Sequence, residues 1–303
     1  MSNQDILIIG AGTAGLTAAI YVQRAGRHAV IYEKAAPGGQ IITANEIQNY
    51  PGFLSVNGAD FAYKLYEQAS SLGAEFIFDS VLEIIPGKDA ENVTIRTSHG
   101  TRTGRALIYA AGASHRRLSL PEEDKLIGKG ISFCANCDGA FFKDKITAVN
   151  GGGNTALDDA LYLSHVAREV YLIHRRQGYR AEQALVKQVA ETPNIHPVLD
   201  TVITGLKSAD GHLSGLTLKN TVTGAETSLA ADGLFLAIGM KPETDLLRGI
   251  VDLNPSGYVI ASEDTRTNIA NIFAAGDVRA KQVRQLTTAA ADGTAAAIQA
   301  AAL

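Results

Sequence analysis

Residues 5–15, Asp-Ile-Leu-Ile-Ile-Gly-Ala-Gly-Thr-Ala-Gly (DILIIGAGTAG), carry a short apolar run straight into glycines spaced G-x-G-x-x-G, and an alanine-rich stretch of helical periodicity follows through Ala25. Strand, glycine turn and helix in that order open a dinucleotide-binding unit. Gly10 makes the tight turn, Gly12 lets backbone approach a pyrophosphate, and Gly15 lets the helix close on the strand. Thr13 and Ala14, between the second and third glycines, are expected at the same nucleotide.

The plan occurs twice. Residues 146–149 lead into Gly151-Gly-Gly-Asn-Thr-Ala156, where Gly151, Gly153 and Ala156 match the G-x-G-x-x-A variant; Asn154 and Thr155 complete the turn, LDDALYLSHVA reads as the helix and EVYLIHRR as the next strand. One glycine fingerprint is weak evidence, because such turns also form for structural reasons, whereas two in one chain support each other. Downstream of each, an apolar strand ending in glycine recurs: ALIYAAGAS (106–114), with Ala111 and Gly112, and GLFLAIGMKP (233–242), with Ile238 and Gly239. A further strand, NIFAAGDV (271–278), ends in Gly276-Asp277 and has no partner in the second half of the repeat. Residues beyond about 245 are therefore expected to return to the first domain. The predicted fold is α/β, with two Rossmann-like dinucleotide-binding domains: residues 1–115 and 245–303 form a discontinuous domain into which residues 116–244 are inserted.

Bulk properties agree with this plan. A length of 303 residues suits about two domains, and 46% hydrophobic against 19% charged residues suits a globular chain with much buried surface. No apolar run reaches the ~18 residues of a membrane helix. The start, MSNQDILIIGAG, lacks both the basic flank and the long apolar core of a secretory signal, so a cytoplasmic location is expected. A net charge of −4 gives no electrostatic footprint for nucleic acid.

Nucleotide choice is read from the end of the second strand of each unit, where an acid about 20 residues past the first glycine binds ribose hydroxyls. Glu33 lies 23 positions beyond Gly10 and fits an unmodified adenosine ribose, with Lys34 beside it. The same offset from Gly151 lands on His174, followed by Arg175 and Arg176, with Arg180 close behind. A carboxylate there would repel a 2′-phosphate, and guanidinium groups bind one through forked, charge-assisted hydrogen bonds, so the second unit is read as an NADPH site. A second dinucleotide beside NADPH implies a redox cofactor, read as FAD.

Cys134 and Cys137, in FCANCDGA, are the only cysteines. Structural zinc needs four Cys or His ligands, and the seven histidines include no second close-spaced pair, so no metal site is expected. A structural bridge across so short a loop would stabilise little. C-x-x-C spacing suits a redox dithiol, because the second thiol resolves a mixed disulfide made by the first. Asp138, next in sequence, is read as the carboxyl that delivers and removes protons, or alternatively as a helix cap or turn residue.

In order, GAGTAG, GGQ, NYPG, CANCDG, GGGNTA, HRR and FAAGDV…RQLTTAAADG resemble bacterial low-molecular-weight thioredoxin reductase over essentially the whole chain. The resemblance implies an outer FAD domain, an inserted NADPH domain carrying the redox disulfide, a homodimer, and reduction of thioredoxin by NADPH. Carried over by position, Gly39, Gln40 and Asn49 would line the flavin, Asp277 would bind the ribityl chain, and Arg284-Gln285 would lie beside the ring system, with Val81 and Gly276 also at FAD. Cys137 would face the flavin and Cys134 would exchange with the partner. The chain departs from the family at Ala111, where threonine is usual, and at Ala291 and Thr294, where glycine and cysteine are frequent. A reductase of another small redox carrier and a flavin-dependent dithiol oxidase are the alternatives, although relatives of the second kind typically lose the NADPH fingerprint that is kept here.

Overall fold

The structure, a computed structural model, describes residues 5–44, 46–88 and 91–303, so the first four residues of the N-terminal reading lie outside it. The chain divides into two units: Met1–Ser114 with Lys241–Leu303, and His115–Met240.

In the first unit five parallel strands lie in the spatial order Ile272–Ala274, Ala106–Tyr109, Ile6–Ile9, Ala29–Tyr32, Glu75–Ile77. Four of them read as unbroken apolar runs, because both faces of a parallel sheet are covered. Successive side chains alternate between the faces: Ile6, Ile8, Ile31, Ile108 and Phe273 share one core with the helices Thr13–Arg24 and Leu286–Ala301, and Leu7, Ile9, Val30, Leu107 and Ile272 belong to the other. An antiparallel sheet, Val81–Pro86, Val93–Thr97 and Gly100–Gly104, supplies Ile84, Val93 and Ile95 to that second core.

The second unit repeats the order: Ile131–Ser132, Gly233–Ala237, Ile146–Gly151, Glu169–Ile173, Ile195–Val198, again all parallel. It too has an antiparallel three-stranded sheet, Thr201–Ala209, His212–Asn220 and Glu226–Ala230. One expectation is corrected here. The strand Ile272–Ala274 does have a spatial counterpart in the second unit, namely Ile131–Ser132, which occupies the same place beside the returning strand. It comes from ahead of the unit's first strand, not from behind it, and two residues are too few for a periodic signal. The consequence is functional: the strand position that delivers Gly276-Asp277 in one unit delivers Cys134–Asp138 in the other.

At the crossings, Ala113–His115 pairs with Met240–Pro242. Glu243 N–H donates to Gly112 O (3.0 Å) and Tyr109 Oη to Glu243 O (2.7 Å), which ties residues 241–244 to the first unit.

Candidate active site

In the first unit the glycine turn closes tightly on its neighbours. Gly10 has φ +99°, and a Cβ there would stand 2.5 Å from Ala110 O, so only glycine makes this turn. At Gly12 the space is open, with nothing within 4 Å of an added Cβ, as backbone approach to a pyrophosphate requires. Glu33 ends the second strand with its carboxylate fixed against the turn: Ala11 N–H donates to Oε2 and Ala35 N–H to Oε1, each at 2.9 Å. Lys34 beside it is exposed. Gly38 N–H reaches back to Ala11 O (2.6 Å), which brings the 3₁₀ turn Gly39–Thr43 to the first fingerprint, and Gln40 Nε2 donates to Ala113 O. Asn49 Nδ2 donates to Gln285 Oε1 at 3.3 Å, and Gln285 caps the helix Leu286–Ala301 in a capping box with Thr288. A Cβ on Gly276 would meet Ala14 Cβ at 2.9 Å, so Gly276-Asp277 also lies against the first helix. Fourteen of the positions expected at FAD thus gather around one helix start and its neighbouring turns: Gly10, Gly12, Thr13, Ala14, Gly15, Glu33, Gly39, Gln40, Asn49, Ala111, Gly112, Gly276, Asp277 and Gln285 share these contacts or adjoin them. Val81 opens the antiparallel sheet and packs on the second core.

Two buried polar atoms here make no hydrogen bond, Asp277 Oδ1, which has Lys281 Nζ at 3.8 Å, and Arg284 Nε. Burial raises the pKa of Asp277, while Lys281 and Arg284 oppose the shift. Asp277 lies in its own short turn, Gly276–Val278, which has no side-chain cap. A residue the sequence reading missed holds this turn. Asp292 is buried and accepts from Gly276 N (3.0 Å), Arg279 Nη2 (2.8 Å) and Lys281 Nζ (3.0 Å). The available signal was a lone carboxylate within a helix otherwise built of alanine, since such a group is buried only when paired.

In the second unit Cys134 and Cys137 form a disulfide. The short helix Ala135–Asp138 follows directly, with Cys137 N–H donating to Cys134 Sγ at 3.2 Å. Ser132, also missed from sequence, organises the turn: its Oγ accepts from Cys134 N (3.1 Å) and donates to Asp138 Oδ2 (2.6 Å). Burial raises the pKa of Asp138, opposed by the Ser132 hydrogen bond. Asp138 makes no side-chain cap, and its carboxyl accepts the hydrogen bond from Ser132.

The nucleotide loop of this unit is open at Gly153, where an added Cβ would meet nothing within 4 Å. Arg180 N–H donates to Gly152 O (2.6 Å), and Asn154 and Glu182 exchange two hydrogen bonds, which folds the arginine segment against the loop. Arg175, Arg176 and Arg180 are exposed, and Thr155 is exposed at the helix start. His174 is placed otherwise. It is buried beneath Gly152, whose added Cβ would strike the ring at 2.2 Å, and its Nε2 has no partner. Burial holds its pKa below the usual value, with Arg175, Arg180 and Arg176 acting the same way, and its ring supports the loop from beneath. Ile238 is half-buried and Gly239, with φ +99°, accepts from Arg116 N–H at the crossing.

Comparison with known proteins finds a match to the pyridine nucleotide-disulphide oxidoreductase model over residues 4–293. The chain belongs to this family. Thioredoxin reductase of Listeria monocytogenes is 39% identical over 289 residues, 95% of this chain and 90% of that protein, and thioredoxin reductase of Streptomyces clavuligerus is 41% identical over 301 residues, 98% and 92%. Among solved structures, thioredoxin reductase from Streptococcus pyogenes superposes with a TM-score of 0.92 at 36% identity, covering 98% of this chain and 97% of that one. FAD and NADPH are the cofactors of the chain. Asp277 Oδ1 and Arg284 Nε, buried without a hydrogen bond, and the open space at Gly12 fit the flavin nucleotide, and the open space at Gly153 with three exposed guanidinium groups fits NADPH.

The Gly10 geometry carries a prediction. Gly10→Ala forces a positive φ on a residue with a Cβ and drives that atom into backbone that cannot rotate away. The protein should lose on the order of 2–4 kcal/mol of stability and most of its flavin. Flavin absorbance per mole of purified protein, with a thermal melt, checks it; full flavin occupancy and an unchanged Tm would refute the close packing.

Proposed function

We propose that the chain reduces the disulfide of thioredoxin with electrons from NADPH, through FAD and the Cys134–Cys137 pair. The observation that carries this reading is the redox turn itself: a disulfide next to a carboxyl whose pKa burial raises, on the unit that also holds the open loop at Gly153 and its arginines. Bound FAD and NADPH supply two-electron chemistry, the nucleotide as reductant and the flavin as relay.

The chain's own residues account for the exchange steps. Reduction of the disulfide takes two electrons and up to two protons. Cys137 N–H favours negative charge on Cys134 Sγ, which makes Cys134 the better thiolate to attack the partner disulfide and the better leaving group afterwards. Attack forms a Cys134–partner bond and releases one partner thiolate; Cys137 then attacks Cys134 Sγ, restores the intramolecular disulfide and releases the second. Asp138, held by Ser132, protonates the departing thiolates. Arg175, Arg176 and Arg180 would bind the 2′-phosphate, and Glu33 and Asp277 would bind the two hydroxylated parts of FAD.

The resemblance of the ordered motifs supports a cytoplasmic homodimer; among the described residues no helix is long and apolar enough to cross a membrane. The direct test is anaerobic NADPH titration of the holoenzyme, followed by oxidised thioredoxin or another small disulfide carrier. Bleaching by NADPH and recovery of colour on adding thioredoxin is the expected result. Bleaching by a small dithiol and not by NADPH, with recovery on admitting oxygen, would identify a dithiol oxidase.

Asp138 adds a pH prediction. Its raised pKa keeps the acid form present to higher pH than an ordinary carboxyl, and a step that needs that form slows as pH rises through the pKa. Asp138→Asn should lower turnover with thioredoxin about 10²-fold and remove this alkaline fall from the pH profile. An unchanged rate and profile would leave Asp138 a turn residue.

A further inference from the structure

A second carboxyl lies against the redox turn, and none of the steps above uses it. Asp159 is on the helix Asn154–Ser164, which packs against the short helix Ala135–Asp138. Gly139 marks how close the two elements are, since a Cβ there would stand 2.8 Å from the Tyr162 ring and 3.2 Å from Leu163. Asp159 is 8% exposed, forms no ion pair among the described residues, and accepts a hydrogen bond from the backbone N–H of Ala135, the residue after Cys134. A buried carboxyl with no cation is costly to keep ionised, and an alanine helix face would pack this position without it.

We propose that Asp159 is a positioning residue for the redox pair, holding the turn through Ala135 N–H and taking up a proton when the disulfide opens. The inference rests on the redox reading of Cys134–Cys137 given above. Burial pushes the pKa of Asp159 up to about 7, with Asp158 adding to the shift and the Ala135 hydrogen bond opposing it. The group that reaches it from a neighbouring element is the Ala135 N–H of the redox turn, one residue from Cys134, and the charge that acts on it is Asp158 on its own helix. Strands beneath contribute Val149, Val170 and Phe235, and Glu182, at the start of the next helix, acts on Asp158 and not on Asp159.

The proton balance follows from this placement. Two electrons break the Sγ–Sγ bond and leave two sulfurs. One proton makes a thiol of one; the other remains a thiolate, and its negative charge raises the pKa of Asp159, which takes up the second proton in its place. Below pH 6 Asp159 is already neutral and adds nothing. Above pH 7 its charge must be neutralised or tolerated beside the thiolate, so reduction becomes harder than in a protein without it.

Asp159→Asn keeps an acceptor for Ala135 N–H and removes the titration. The experiment equilibrates wild-type and Asp159→Asn holoenzyme with dithiothreitol at fixed ratios of reduced to oxidised reagent from pH 5.5 to 8.5, traps free thiols by alkylation, and compares the dithiol fractions. The expected dithiol-to-disulfide ratios agree at pH 5.5, and that of Asp159→Asn is about 5- to 10-fold higher at pH 8.5. Parallel pH curves would overturn the proton role, even if they were offset by a constant factor as a merely structural change would produce. For the holding role, Asp159→Ala at pH 6 should lower turnover with thioredoxin about 10-fold, since the Ala135 N–H is left without its acceptor; wild-type turnover there would overturn it. A wild-type pair that dithiothreitol cannot reduce at any pH would instead refute the redox reading on which the inference rests.

Discussion

Cys134→Ser and Cys137→Ser should each bring NADPH-dependent reduction of thioredoxin down to background, a loss on the order of 10⁴-fold or more, while NADPH still bleaches the holoenzyme. The chain has no other sulfur nucleophile to substitute, because these are its only cysteines. The two variants should also differ from each other. In Cys137→Ser the Cys134 thiol can still attack a partner disulfide, but nothing resolves the product, so a covalent adduct with oxidised thioredoxin should accumulate and run as a heavier band without reductant. Cys134→Ser should form little of it, since the remaining thiol lacks the Cys137 N–H hydrogen bond that favours charge on Cys134 Sγ. Normal turnover in both variants would sink the proposed electron path, and an adduct confined to Cys134→Ser would reverse the roles of the two sulfurs.

Much of this site could be read directly from the order of residues, and the parts that could not share a physical cause. The glycine turns were legible because the positive φ and close packing at Gly10 leave no chemical alternative to glycine, and Gly12 and Gly153 recur at fixed spacing with the open space that a nucleotide's approach needs. The double parallel sheet was legible because strands covered on both faces are unbroken apolar runs. Ile131–Ser132 was invisible: two residues carry no period, and only the spatial order shows that they take the place Ile272–Ala274 takes in the other unit. Ser132, Asp159 and Asp292 were missed as well. Asp159 and Asp292 act by hydrogen bonding to backbone 24 and 16 residues away, which no local spacing encodes, whereas Ser132 bonds the Cys134 N–H two residues on, a local contact that a lone serine does not announce. His174 shows the converse error, in which a residue at the expected offset is turned inward and becomes the floor of the loop. Offset from a glycine fixes where a residue sits relative to the strand and not which way it faces: the strand ends at Ile173, and of the residues just past it His174 is buried while Arg175 and Arg176 are exposed.

Neutralising Arg175 and Arg176 together should raise KM for NADPH by about 10²- to 10⁴-fold and leave KM for NADH within about 2-fold, because charge-assisted contacts are worth ~1.5–3 kcal/mol each and NADH has no 2′-phosphate to lose them. The structure supplies the reason these two arginines are available. Both are exposed at the end of the strand Glu169–Ile173, and their side chains form no ion pair among the described residues, so binding an anion breaks no existing contact. Arg180 differs, since its backbone N–H is tied to Gly152 O at 2.6 Å. Its side chain can be removed without freeing the loop, and Arg180→Ala alone should therefore cost NADPH about 10-fold with no change in the thermal melt. The effect must be electrostatic in origin if the assignment is right: raising the salt concentration should narrow the gap between NADPH and NADH in the wild type and leave the double variant nearly indifferent, because screening acts only on charges that are present. Steady-state kinetics with both nucleotides at two ionic strengths measures all of this at once. An equal loss of NADPH and NADH activity, accompanied by a lowered Tm, would mean that the arginines support the fold of the second unit and that its nucleotide choice is made elsewhere.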